Sequence, residues 1–175
     1  MKQKNKSILG FTMIELLIVI VILGILSVIG LGSFTAAQQK SRDANRKSSL
    51  NGIATALEVY YNDHGAYPQG VSGSIYGCGV SGVEICVYGA IWQDDNNTVY
   101  MVQIPTDPRQ NSFYYVSDGT EYQLYARLEN VNDRSVPQVG NNPGVYAVAS
   151  SFCGGSGCNY GIASSNSTLG VTEAD

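Results

Sequence analysis

The sequence predicts an α+β protein. One long N-terminal helix, membrane-spanning in its first half, would pack through its second half on a small antiparallel β-sheet. Three observations carry this expectation. Between Phe11 and Phe34 the only ionisable side chain is Glu15. Beyond that stretch, Leu50, Ile53, Ala54, Leu57, Tyr60 and Tyr61 recur at helical spacing and make one apolar face. Further on, two Tyr-rich runs flank Ser117-Asp118-Gly119-Thr120, the pattern of a hairpin.

The 175 residues give room for one domain plus an appended segment. They divide into a basic leader (1–10), an apolar helix (11–34), an amphipathic continuation (35–64) and a cysteine-containing remainder (65–175). The net charge of −4 conceals an asymmetry. Lys2, Lys4 and Lys6 cluster at the start, and Lys40, Arg42, Arg46 and Lys47 cluster again, whereas from residue 48 onward three basic residues face twelve acids. An acidic remainder argues against nucleic acid as a direct ligand.

As a helix, the stretch 11–34 would be about 36 Å long, enough for a hydrocarbon core of about 30 Å. It exceeds the apolar region of a secretory signal peptide, and no small-residue cleavage site follows it, so it reads as a retained membrane helix. Basic residues on its two sides nearly balance. The cysteines favour an oxidising compartment and so place the C-terminal part outside. A carboxylate within such a helix costs about 2.5–3.5 kcal/mol at mid-bilayer and less near the end. Two readings account for Glu15. In one, Thr12-Met13-Ile14-Glu15 is a capping box, with Glu15 reaching back to a free backbone N–H. In the other, a cation neutralises Glu15 in lipid. An α-amine at Phe11, created by cutting after Gly10, would lie one helical turn away in the same chain or beside it in a neighbour.

The short basic leader ending in Gly10, followed by Phe11-Thr12-Met13-Ile14-Glu15-Leu16-Leu17, resembles the prepilin processing motif of type IV pilins and type II secretion pseudopilins. The resemblance implies a pilin-like fold, cleavage between Gly10 and Phe11, N-methylation of Phe11, and Glu15 pairing with the Phe11 amine of an adjacent subunit. It also implies a homopolymer joined through the N-terminal helices, with a prepilin peptidase and an inner-membrane assembly platform as partners. The precursor would cross the inner membrane once with its C-terminal domain outside, then enter an extracellular or periplasmic filament. Many family members carry Pro at the position of Gly32, where the helix melts locally on entering the filament. Gly30 and Gly32 stand here instead as flexible points, since Gly inside a helix costs about 1 kcal/mol relative to Ala.

Gly65 and Pro68 should end the helix. The pattern Tyr60-x-x-x-x-Gly65-x-Tyr67-Pro68 is similar to the matching region of major pseudopilins. Lys40, Arg42, Arg46 and Lys47 read as a solvated or subunit-facing surface, with Asp43 and Lys47 as an i, i+4 pair. Residues 69–98, rich in Gly, Ser and Asn, read as a long loop. Within it Asp94 to Asn97 make an exposed turn that lacks EF-hand spacing. Ser112 to Val116 and Glu121 to Leu128 read as strands, with Tyr122, Leu124, Ala126 and Leu128 on the face toward the helix. The Pro105-Thr106-Asp107-Pro108 entry again resembles major pseudopilins. Those often carry a Ca²⁺ loop after the hairpin, but here mainly Asp133 is offered and no calcium is expected. The run Val145 to Ala149 would add an edge strand, followed by a Ser/Asn/Thr-rich, disordered end.

Cys78, Cys86, Cys153 and Cys158 suit two disulfides. Three connectivities are possible, and the local pairs 78–86 and 153–158 are the simplest. Their spacing does not suit zinc, and His64 is the only histidine. With no nucleophile elbow, metal cluster or phosphate loop, an enzyme is not expected, nor is a cofactor or metal. The expected function is a structural subunit of a type IV pilus-like filament, polymerising after cleavage and methylation. The alternatives are a pseudopilin of a type II secretion or DNA-uptake machine, or a minor tip subunit that binds DNA or a surface.

Overall fold

The computed structural model describes residues 10–79, 81–109, 113–149 and 152–173, without the side chains of 29–33 and 172–173. The leader residues 1–9 lie outside the described set, as does Ser112. The architecture is α+β, a long N-terminal helix followed by small antiparallel sheets.

Helix α1 spans Met13–His64. It stops where expected: Gly65 takes φ 71°, a left-handed conformation that suits a residue without Cβ, and its N–H donates to the Tyr61 carbonyl at 2.8 Å. The chain divides into two compact units, one through Gln38 and one from Gln39. In the first, every described side chain from residue 10 to 38 is exposed. Among the described residues no helix is long and apolar enough to cross a membrane. The span expected over 11–34 includes the undescribed side chains of 29–33, with Gly30 and Gly32 among them, and remains an expectation. The assigned helix runs through both glycines.

In the second unit, α1 buries Asp43, Arg46, Leu50, Ile53 and Leu57. These recur at spacings of three and four, so charged and apolar residues share one face. Tyr61, expected on that face, is 42 % exposed and rests on Tyr67 with ring centroids 4.6 Å apart.

Strands β1 (Gly70–Val71), β2 (Ser74–Cys78) and β3 (Glu84–Ile85) form one sheet, and β4 (Trp92–Gln93) pairs with β5 (Val99–Met101). The stretch 69–98 is therefore ordered rather than a plain loop, because Ile75 and Trp92 are buried in the main core. Gly73, at φ 81°, makes the β1–β2 turn possible. A Cβ there would lie 2.2 Å from the Tyr114 ring.

Strands β6 (Tyr114–Ser117) and β7 (Tyr122–Ala126) form the expected hairpin, registered Ser117↔Tyr122. Asp118 closes its turn by accepting from the Thr120 and Glu121 N–H groups. Tyr122, Leu124, Ala126 and Leu128 are buried as expected, and Tyr125 on the opposite face is buried too. It joins Tyr146, Ala149, Cys153 and Cys158 in a second apolar cluster.

The C-terminal part corrects the expectation most. Residues Val145 and Tyr146 end β9 (Asn142–Tyr146), which is not an edge. It lies between β8 (Gln138–Val139) and β11 (Val171–Glu173), and a 3-10 turn, Ala147–Ala149, follows it. The end of the chain is thus a strand through Glu173, held by backbone pairing that its polar composition does not announce. Between them, β10 (Tyr160–Ala163) pairs with β7 to complete the order β10-β7-β6.

Candidate functional site

The N-terminal end of α1 is built by three residues. Thr12 immediately precedes the first helical residue and its carbonyl accepts from Leu16 N–H at 3.3 Å. The Glu15 N–H donates to Thr12 Oγ1 at 3.3 Å. In return Glu15 Oε2 accepts from the Thr12 N–H at 2.9 Å and from the Thr12 hydroxyl at 2.7 Å. This is the reciprocal capping box, which satisfies backbone donors that have no partner in the first turn. Both bonds to the carboxylate fall on Oε2, and Oε1 takes none from the described residues.

Around this polar knot the surface is apolar on all sides. Phe11 is 85 % exposed and Met13 95 %, and Ile14, Leu16, Leu17, Ile18 and every large apolar residue through Leu26 are exposed as well. A helix that is apolar all round belongs in lipid or among other helices, because no orientation on a folded domain covers every face. Gly10 stands free of neighbours, with nothing within 4 Å of where its Cβ would be.

The sequence matches the model of the prokaryotic N-terminal methylation motif over residues 5–31, the stretch that contains Gly10, Phe11 and Glu15. The chain is also similar to type II secretion system core protein G of Pseudomonas aeruginosa, 29 % identical over 72 % of this chain and 85 % of the relative. The chain is thus similar to type II secretion pseudopilins and, through its N-terminal motif, to type IV pilins. Other similar proteins are the type IV major pilin protein PilA of Myxococcus xanthus, 36 % identical over 33 % of this chain and 26 % of the relative, and the fimbrial protein EcpC of Eikenella corrodens, 33 % identical over 51 % and 60 %. No solved structure matches.

Most of the second basic cluster, expected as a solvated or subunit-facing surface, is paired within the chain. Arg46 is fully buried. Its Nε and Nη2 donate to the two oxygens of Asp107 at 2.5 and 3.2 Å, and its Nη1 to Asp43 at 2.8 Å and Glu129 at 2.9 Å. Arg42 makes a two-pronged bond to Glu129 at 2.8 and 2.7 Å. Lys47 donates to Asp133 at 2.6 Å, so the expected Asp43–Lys47 pair is replaced by Asp43–Arg46 and Lys47–Asp133. Lys40 alone of the four is exposed. Asp43 also accepts the Glu129 and Asn130 N–H groups at 2.8 and 2.9 Å, which anchors the chain after β7 to α1. The Arg42 hydrogen bonds outweigh partial burial, and with Arg46 they hold the Glu129 carboxyl down at about 2. Lys47 acts likewise on Asp133, which is held below its usual value.

Sequence reasoning missed Arg46 and Asp107. The available signal was register: Asp43 and Arg46 precede Leu50, Ile53 and Leu57 at the same spacing. Cys78 bonds Cys86 and Cys153 bonds Cys158, the local connectivity. Arg127 donates to the Ser156 and Gly157 carbonyls and so holds the second disulfide loop.

Proposed function

We propose that this chain is a structural subunit of a type IV pilus-like filament. It is held in the inner membrane by its first helical stretch, cut between Gly10 and Phe11 by a prepilin peptidase, methylated on Phe11, and assembled through the N-terminal helices of many copies. The observation that carries this reading is the all-round apolar helix opened by the Thr12–Glu15 box at the motif's cleavage position. A domain of this size leaves so much apolar surface open only if lipid and then other subunits cover it. Glu15 serves twice. Oε2 caps its own helix, and Oε1 receives the new amine of a neighbour's Phe11, which fixes axial register. The role is structural rather than catalytic, and the flexible point lies at Gly30 and Gly32.

A pseudopilin of a type II secretion machine is the second reading. The similarity to core protein G runs through most of that relative, whereas the similarity to PilA covers a quarter of its length.

Glu15→Gln separates the two duties of Glu15, since Gln fills a capping box equally well but carries no charge. Processing should stay intact while filaments recovered by shearing fall to background. Normal filaments from this variant would refute the register role. Intact mass of the sheared material should show a chain beginning at methylated Phe11, and a chain still beginning at Met1 would overturn the filament reading itself.

A further inference from the structure

Three donor groups converge where the last residue of α1 meets the β4–β5 turn. His64, Asp94 and Asp95 each offer one ligand atom, and these atoms lie within 4.8 Å of one another. The imidazole separates this cluster from an ordinary acidic surface. Its ring stacks on Tyr60, with centroids 4.0 Å apart and 8° between planes. Nδ1 lies 3.2 Å from the Tyr60 carbonyl oxygen, an atom that can only accept, so Nδ1 carries the hydrogen. In the neutral ring Nε2 then presents a lone pair, and it sits 3.6 Å from Asp94 Oδ2. That gap is filled either by a proton on Nε2, which makes the pair an ion pair, or by a cation held between the two atoms. A backbone carbonyl on one ring nitrogen and a metal on the other is the usual outer-shell arrangement of a histidine ligand.

Asp94 is equally set in place, and it was expected on an exposed turn. It is 3 % exposed. Its Oδ1 accepts the Asn96 and Thr98 N–H groups at 2.9 and 2.8 Å, and its Oδ2 accepts the Tyr100 hydroxyl at 3.0 Å. In a tetrahedral zinc site, ligands at about 2.0–2.2 Å from the metal lie about 3.4 Å from one another. His64 Nε2 and Asp94 Oδ2 already stand at that separation. Asp95 is exposed and needs to approach by only on the order of 1 Å to complete three ligands.

We propose that His64, Asp94 and Asp95 bind a Zn²⁺-type first-row divalent ion, which pins the end of α1 to the β4–β5 turn. One imidazole nitrogen and two carboxylate oxygens suit such an ion. Calcium asks for six or more oxygens and magnesium for an octahedron of them. Water would fill the remaining position.

The test uses the untagged full-length chain in detergent, stripped with a chelator and titrated with ZnCl₂ or CaCl₂ by calorimetry and thermal melting. One equivalent of Zn²⁺ should bind and raise Tm, while CaCl₂ does neither. His64→Gln and Asp95→Asn should each weaken Zn²⁺ binding by about tenfold or more, since even outer-shell partners contribute that much. Asp95 is exposed, so its variant decides the matter if His64→Gln folds poorly. Absence of a Zn²⁺-dependent rise overturns the proposal, as does an equal rise with CaCl₂ or a rise unchanged in the variants.

Discussion

Glu15 and Arg46 are both charged residues on α1 with apolar neighbours along the helix, and the structure treats them in opposite ways. Glu15 is exposed and, among the described residues, bonded only to Thr12, one turn away, while the apolar side chains around it stay uncovered. Arg46 is fully buried, and its partners Asp107 and Glu129 come from residues far along the chain. A charge satisfied inside one turn makes no demand on the rest of its own chain and leaves the helix surface for other molecules. A charge satisfied by distant residues ties the domain to itself. The folded domain is thus self-sufficient, and the first helical stretch is not.

That contrast is broken most severely at Arg46. Arg46→Ala leaves three carboxylates facing one another without their shared cation, and should lower the stability of the domain by about 3–5 kcal/mol. Urea denaturation measures it, and a loss under about 1 kcal/mol would mean that the network does not hold α1 to the chain after β7.

Acid should probe the same network next. The Arg42 hydrogen bonds, against partial burial and with help from Arg46, lower Glu129 from 4.5 to about 2. A depressed carboxyl contributes its stability above the unfolded value and loses it as pH falls through the folded one. The domain should therefore be steady at neutral pH and weaken between about pH 4.5 and 2, by up to roughly 3 kcal/mol from this group. In Glu129→Gln that acid limb should flatten. A midpoint that falls in parallel with the parent would place the acid sensitivity elsewhere.

The smallest effect lies at the other end of the comparison. Thr12→Ala removes the cap and should cost the helix end about 1 kcal/mol. Faster amide exchange should be confined to the first turn, and the domain's melting temperature should not move. A shift in that temperature would show that the two regions are coupled.

Much of this was legible beforehand. The length of α1 followed from apolar periodicity and from Gly65, and the β6–β7 hairpin from its turn residues. The Thr12–Glu15 box was one of two readings of a four-residue pattern, and the structure contains it. What escaped was long-range. Asp107 and Glu129 approach Arg46 only after the sheet forms, and no local pattern pairs them. The burial of Tyr125 went unread because alternation describes a sheet covered on one side, whereas the C-terminal segment covers the other. That segment hid itself because Gly161 packs against Tyr125 so closely that a Cβ would come within 2.9 Å, and small residues read as loop. Trp92 and Ile75 were lost within a Gly-rich stretch for the same reason. At the candidate metal cluster, the acids were visible but the burial of Asp94 was not, since it depends on Tyr100 folding over it.

The two disulfides bridge sequence separations of only 8 and 5 residues. In covalent terms the domain is a linear thread with two small eyelets, and no crosslink joins distant parts of it. Each eyelet can close as soon as its own segment reaches an oxidising compartment, without waiting for the rest of the chain. The converse is that a single backbone cut between residues 86 and 153 would leave two pieces that nothing covalent unites. The exposed Val131–Asn132 turn is one such place. The β7–β10 ladder, the Lys47–Asp133 ion pair, the Leu128–Asn159 hydrogen bonds and the packed Tyr125 and Tyr146 would then keep those pieces together.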